Sequence, residues 1–345
     1  MQKAIIIAGP CAAESKEQLF LTAKGLKEAF SARGFDLNFF RAGVWKPRSK
    51  PEDFSGLGEE ALPWLQEIQT ELGVPVCVEV CFPEQLDQCE KYGIKAFWIG
   101  ARTAVNPFDV QEIATAARNR DFTVMVKNPL VADLKLWAGN IERFLNAGMT
   151  KVMAIHRGFA DSSESVYRNR PFWEIAIDMK VRFPHIPLLC DPSHIAGQRQ
   201  YIAQLSQIAL DYGFDGLMIE SHHQPESALS DAGQQLTPED LAQLLSGLKF
   251  KDELSSPAEN ELRKQRTQIH NIDTQLSVLL SKRMQIVDSI AQIKAEHNLP
   301  VVQPEQWNKV VRMYQENSLQ DKDYQEFIGE FLELLHQSSI KRQRK

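Results

Sequence analysis

Six cations stand at the ends of short apolar runs in the first 250 residues: Arg41, Lys46, Arg48, Arg102, Lys127 and Arg157. They keep to those ends in a chain whose 39 Lys+Arg and 45 Asp+Glu leave a formal net charge of −6. Solvated surface cations would scatter instead. Guanidinium forks match phosphate and carboxylate oxygens in pairs, and an ammonium is a compact charge. The set therefore predicts an anionic substrate, with two phosphates or a phosphate and a carboxylate. A second group also follows run ends: Cys11, His194 and Glu220, with Asp231 in the loop after the last run. One thiolate, one imidazole and two carboxylates suit a divalent transition metal better than Ca²⁺ or Mg²⁺. These four are far apart in sequence, so spacing alone leaves open a buried thiol at Cys11 and a surface carboxylate at Asp231. The remaining cysteines, Cys77, Cys81, Cys89 and Cys190, fall inside strands or helices and read as core.

Converging these groups takes a scaffold with many strand ends on one rim. Eight apolar runs alternate with helical segments: Ala4–Ala8, Leu37–Arg41, Val76–Val80, Phe97–Gly100, Thr123–Lys127, Val152–His156, Leu188–Cys190 and Gly216–Glu220. Nearly continuous apolar strands belong to a parallel sheet covered on both faces. Eight strand–helix units over 1–250 predict an α/β fold of the (β/α)8 barrel type, whose active sites gather at the C-terminal strand ends. A doubly wound open sheet is the alternative, but no Gly-rich dinucleotide fingerprint is present. Helical spacing covers Gln18–Phe30, Glu59–Leu72, Pro107–Asn119 and Arg199–Tyr212, and Gly34, Gly73, Gly93, Gly148 and Gly213 read as helix caps.

The pattern changes after Phe250. Residues 251–258 read as a linker, and 259–345 as an all-α domain of three helices. From Glu259 to about His297 neither Gly nor Pro interrupts a helical apolar stripe, on the order of 58 Å at ~1.5 Å per residue. Shorter helices are expected over Glu305–Asn317 and Tyr324–Arg342. The long helix outruns its neighbours, so a homodimer through this domain is expected to cover its stripe. Arg283 and Lys294 interrupt that stripe on nearly one face, and cations on an apolar seam call for an anion.

The acidic balance speaks against binding nucleic acid through bulk positive charge. No run approaches the ~20 apolar residues of a membrane span. Five scattered cysteines argue against a disulfide framework and for a reducing cytoplasm. With the first strand at residue 4, no regulatory domain is expected ahead of the barrel.

The motifs of 1–250 resemble 3-deoxy-D-arabino-heptulosonate 7-phosphate (DAHP) synthase of type I. The resemblance is carried by Ala8-Gly9-Pro10-Cys11, Phe40-Arg41-Ala42-Gly43, Lys46-Pro47-Arg48, Ile99-Gly100-Ala101-Arg102, Lys127-Asn128-Pro129, Asp191-Pro192-Ser193-His194 and Ile219-Glu220-Ser221-His222. A sibling family making 3-deoxy-D-manno-octulosonate 8-phosphate shares the scaffold. The Lys-Pro-Arg-Ser loop is similar to the DAHP synthase one, with Ser49 where Thr is usual. The resemblance implies condensation of phosphoenolpyruvate with erythrose 4-phosphate. It implies Cys11, His194, Glu220 and Asp231 as ligands to Mn²⁺, or else Fe²⁺, Co²⁺ or Zn²⁺. It places Arg102, Lys127 and Arg157 on the phosphoenolpyruvate phosphate, Arg41 and Lys46 near its carboxylate, and Arg48 and Ser49 on the sugar phosphate. Lys46 or a metal-bound water is the implied proton carrier.

Residues 259–343 resemble the all-helical chorismate mutases, through Arg266, Ile272-Asp273, Leu279-Leu280, Arg283-Met284, Lys294, Pro300-Val301 and Ser339 to Gln343. That implies rearrangement of chorismate to prephenate in an intertwined dimer. Arg283 would bind a carboxylate, Lys294 and Gln343 the ether oxygen, and Arg266 would come from the other chain. Gln306 stands where the family often has Arg. The expected whole is a bifunctional enzyme of aromatic amino-acid biosynthesis, with prephenate feedback through the tail. The alternative is a synthase whose tail only dimerises or senses.

Overall fold

Eight parallel strands close into a barrel in sequence order: β1 (Ile5–Gly9), β2 (Phe39–Ala42), β3 (Val76–Val80), β4 (Ala96–Ile99), β5 (Thr123–Lys127), β6 (Val152–His156), β7 (Leu188–Cys190) and β8 (Gly216–Glu220), with β8 pairing back to β1. This computed structural model describes residues 4–48, 50–250, 256–316 and 321–344, with the side chains of 256–260 left aside. The chain divides into two compact units, Met1–Glu253 and Leu254–Lys345. The expected (β/α)8 barrel is the one found, and the open-sheet alternative falls because β1 and β8 pair over five residues.

Local chemistry explains the helices around it. Ser15 Oγ accepts the Gln18 N–H at 3.1 Å and starts the helix Lys16–Ser31. The helix Leu62–Leu72 stops at Gly73, whose φ of 65° is left-handed. Helices and outward strand residues share one large core, which includes Phe40, Phe97, Val124 and Leu217.

The barrel interior is a separate cluster of Ile7, Cys77, Ala96, Trp98, Met125, Ile155, Leu189 and Met218, with Phe39 packed against it. Side chains on a strand repeat every second residue. Two positions beyond the inward residue of each strand stand Gly9, Arg41, Glu79, Gly100, Lys127, Arg157, Asp191 and Glu220. The same alternation that fills the barrel with apolar groups thus lays a polar layer on top of it.

His156 belongs to the outer core instead. It is fully buried, with Trp137, Phe159, Trp173 and Phe214 around it at ring separations of 5.3–6.2 Å. Burial, then the Arg157 charge, pulls its pKa from 6.5 down to about 3. Between those values the unfolded chain holds more protons, so stability falls as the pH drops. The expected loss is about 3 kcal/mol between pH 6.5 and 4. Denaturant titrations at several pH values should show that slope, and His156→Phe should flatten it.

Among its described residues the second unit has three helices, Ser256–Glu296, Pro304–Glu316 and Lys322–Gln343. The first starts at Ser256, inside the stretch read as a linker, since Pro257 in a first turn loses no hydrogen bond. Residues 251–255 lie outside the described residues. The first and third helices pack together, and Val287, Ile328, Leu332 and Leu335 are buried. Trp307 stacks on His336 at 4.0 Å, tying the second helix to the third. Ile269, Ile272, Leu276 and Leu279 of the long helix are 50–61% exposed. Among the described residues, no helix is long and apolar enough to cross a membrane.

Candidate active sites

Cys11 reaches the barrel mouth because β1 ends in Gly9 at φ 148°, where a Cβ would stand 2.2 Å from the Arg41 carbonyl oxygen. Glu220 ends β8 and is fully buried. Asp231 comes from the following loop. Ligand atoms of Cys11, Glu220 and Asp231 all lie within 4.8 Å of one another. His194 stands beside this trio. It sits on the short helix Pro192–Ala196, where Asp191 Oδ1 accepts its N–H at 3.1 Å. Its Nδ1 is 2.8 Å from Asp191 Oδ2 and its Nε2 is 3.6 Å from Glu220 Oε1.

The electrostatics of the trio fit a cation. Burial, reinforced by the Glu220 carboxylate, pushes the Cys11 thiol up to about 12. The Cys11 Sγ–H donates to Asp231 Oδ2 at 3.2 Å. A neutral thiol packed against two carboxylates is the protonated form of a thiolate site, and a divalent ion would replace that proton. Burial lowers the His194 pKa despite the Asp191 charge, which keeps the imidazole neutral as a ligand must be. With Nδ1 turned to Asp191, Nε2 is left facing the trio.

All six predicted cations line one cavity, shared with His194 and Asp231. Lys127 Nζ is 2.7 Å from Asp191 Oδ2. Arg157 Nη1 donates to Asn169 Oδ1 at 2.7 Å. Burial pulls Lys127 down in spite of Asp191, and pulls Arg157 down to about 10. Arg157, buried with its guanidinium donating to the neutral Asn169 amide and the Gly158 carbonyl, marks a place for an anion beside the Lys127–Asp191 pair. Lys46 Nζ donates to the Cys11 carbonyl at 2.8 Å. Arg48 is half-buried and Arg102 exposed at the mouth. Arg41 is 1% exposed, lies 5.0 Å over the Trp98 ring and pairs with Glu220 at 2.9 Å. Among the described residues its buried Nε and Nη1 find no hydrogen-bond acceptor, although Nη1 lies 3.9 Å from Asp191 Oδ2, so both can donate to a ligand. Ser49 lies outside the described residues.

Three participants were given no role from the sequence, although Asp191 stands in one of its motifs. Glu79 lines the cavity, and Asp191 joins Lys127, Arg41 and His194. Both could have been found by counting two residues past Cys77 and Leu189. Arg168 also lines the cavity and donates to Asp231 Oδ1 at 2.8 Å. It sits in an irregular loop, where no periodicity flags it.

In the helical unit, Lys294 Nζ donates to Gln343 Oε1 at 3.0 Å and to the Val301 carbonyl at 2.7 Å. Arg283 Nη1 donates to Ser339 Oγ at 2.9 Å, one turn from Gln343 on the same helix. Both cations thus reach neighbouring turns at one end of the third helix. Arg266 is exposed on the long helix, about 25 Å from Arg283 along the axis at ~1.5 Å per residue, and does not join them within one chain. Gln306 is exposed at the start of the second helix.

Comparison with known proteins agrees with both halves. Residues 1–255 match the DAHP synthetase I family, and residues 265–344 match chorismate mutase type II. A phospho-2-dehydro-3-deoxyheptonate aldolase of Thermotoga maritima is 32% identical over 244 residues, 71% of this chain and 68% of the relative. A 2-dehydro-3-deoxyphosphooctonate aldolase of Desulfatibacillum aliphaticivorans is 28% identical over 265 residues, covering 71% of this chain and 90% of that one. The solved DAHP synthase of Thermotoga maritima superposes with a TM-score of 0.62 at 32% identity, over 70% of this chain and 67% of the other. The chain belongs to the DAHP synthetase I family, and its barrel is fused to a type II chorismate mutase domain.

Proposed function

We propose that the barrel condenses phosphoenolpyruvate with erythrose 4-phosphate to DAHP and phosphate, and that the helical unit rearranges chorismate to prephenate. Both steps belong to aromatic amino-acid biosynthesis. The observation that carries the first reading is a thiol and two carboxylates within 4.8 Å of one another beside a cavity that six cations line.

Cys11, His194, Glu220 and Asp231 would hold a divalent transition metal, with Mn²⁺ preferred over Fe²⁺, Co²⁺ and Zn²⁺. Such an ion supplies Lewis acidity toward an aldehyde oxygen. Lys127, Arg157 and Arg102 receive the phosphoenolpyruvate phosphate. The Arg41 donors and Lys46 face its carboxylate, and Arg48 with Ser49 holds the sugar phosphate. Together they keep two mutually repelling anions in attack geometry. Carbon 3 of phosphoenolpyruvate bonds to the aldehyde carbon, and the aldehyde oxygen takes a proton, which Lys46 carries. Water adds at carbon 2 and returns one proton to Lys46; the new hydroxyl then gives its proton to the departing phosphate as the bond from that carbon to the phosphate oxygen breaks, which leaves the 2-keto group. Purified protein given both substrates should release phosphate, and a chelator should stop it. Exchanging the tetrose for arabinose 5-phosphate tests the octonate type of reaction.

In the tail, Arg283 would bind a carboxylate while Lys294 and Gln343 stabilise the ether oxygen as its bond breaks. Gln306 is a weaker partner than a guanidinium. The exposed stripe on the long helix and the distance of Arg266 favour a dimer in which each chain lends Arg266 to the other. Arg283→Ala in the full chain should lower chorismate turnover at least about 100-fold and leave the condensation intact. Mixing Arg283→Ala and Arg266→Ala chains should then restore mutase activity. A parent chain without mutase activity would leave the tail a dimerising or sensing module.

Prephenate is the proposed feedback inhibitor, acting through the tail. Added to the full chain it should depress the condensation, while a 1–250 truncation that retains activity should be unaffected. Equal inhibition of both would refute control through the tail.

A further inference from the structure

Two consecutive amides stand directly behind the metal-candidate side chains. Gln234 is 1% exposed and Gln235 0%. Gln235 Oε1 accepts the Cys11 N–H at 3.0 Å, and its Nε2 donates to the Ser230 carbonyl at 2.9 Å. Gln234 Nε2 donates to Glu220 Oε2 at 2.8 Å, and its Oε1 accepts from Arg168 Nη1 at 3.1 Å. That guanidinium also holds Asp231 Oδ1. The pair thus reaches Cys11, Glu220 and both sides of the Asp231 loop.

The backbone explains how neighbours serve opposite directions. Leu236 N–H donates to the Glu220 carbonyl at 3.0 Å and its carbonyl accepts the His222 N–H at 2.9 Å, so the segment runs beside the end of β8. Arg199 fixes it further, donating to the carbonyls of Ala232 at 2.8 Å and Gln235 at 2.6 Å. Gln234 ends the short 3-10 turn Ala232–Gln234 and Gln235 opens extended backbone (φ −85°, ψ 139°), so the change of conformation between them sends the two side chains to different partners. Asp231 itself has φ 50°, a left-handed conformation unusual for a residue with a Cβ. Such a conformation persists where the surroundings over-determine it. Here Gln235 holds the carbonyl before it, and Glu14 Oε1 accepts the Leu229 N–H at 2.9 Å.

We infer that Gln234 and Gln235 are positioning residues that preset Cys11, Glu220 and Asp231 for a divalent ion; the inference rests on those three being its ligands. An amide serves both places. Each side chain must donate on one side and accept on the other. A carboxylate would set oxygen against the Ser230 carbonyl or Glu220, and an apolar group would leave the Cys11 N–H or a Glu220 oxygen without its partner.

The test loads metal-stripped full chain with Co²⁺ and reads affinity by chelator competition together with the visible spectrum. Parent protein should show a sulfur-to-cobalt charge-transfer band that Cys11→Ser lacks; without that band in the parent, the metal-centre reading fails and this inference with it. Given the band, Gln235→Glu and Gln234→Met should each weaken Co²⁺ binding about 10- to 100-fold and shift the ligand-field bands. Parent affinity and an unchanged spectrum in both variants would overturn the inference. So would losses that merely track the unfolded fraction of the stripped proteins. If Gln235→Glu fails to fold, Gln234→Met decides by the same two readouts.

Discussion

Cys11→Ser is expected to abolish phosphate release from phosphoenolpyruvate, by about 1,000-fold or more, as fits the several kcal/mol a Lewis acid contributes. Serine keeps nearly the same volume in a fully buried position and can still donate to Asp231 Oδ2. The fold should therefore survive. The change removes the sulfur and with it the ability to become an anion once a divalent ion arrives. A buried thiol at about 12 is a poor nucleophile or base on its own, so a large loss would point to ligation. Metal analysis beside the phosphate assay checks this, since bound metal should fall with activity. Full turnover by the serine variant would remove Cys11 from the centre.

Lys46→Met is the complementary case, with activity lost and metal retained. The expected loss is about 100- to 10,000-fold, the range of a positioned proton carrier. Burial works against the charged form of Lys46, but a Cys11 thiolate and the carboxylates of Glu79 and Glu220 favour it, and its pKa is raised. The ammonium thus holds its proton through neutral pH and enters the reaction as donor and cation, not as base. Nζ donates to the Cys11 carbonyl, so the charge sits beside the donor trio without belonging to it. Equal metal content in parent and variant, with phosphate release nearly gone in the variant, is the required outcome. Normal turnover would refute the role.

Much of this was legible along the chain, and the reason is range. Strand identity depends on apolar runs and helix ends on caps such as Ser15 and Gly73, all settled within a few residues. β3, β5, β6, β7 and β8 match their runs end to end. Strands β1, β2 and β4 shift by one or two residues, because pairing with a neighbour sets an end that composition does not. The six cations were visible because a barrel puts every strand end on one rim, so fold class alone implies convergence.

Distances were not legible. Arg41 could be assigned to a substrate from its place in a motif, but only closure of the barrel set it against Glu220 across 179 positions. Glu79 hid inside the apolar run Val76–Val80, and Asp191 was named in a motif without a role of its own. Arg168, Gln234 and Gln235 had no signal at all, since loop residues follow no period. By itself, the sequence determined which elements form and which side chains end up on the shared rim, because local sterics and the two-residue alternation of strands act through neighbours. The tertiary structure decided which of those side chains touch. Ion pairs, buried amide bridges and the left-handed Asp231 depend on loops more than 200 residues from Cys11 being held at fixed ångström distances, and no local rule carries that far.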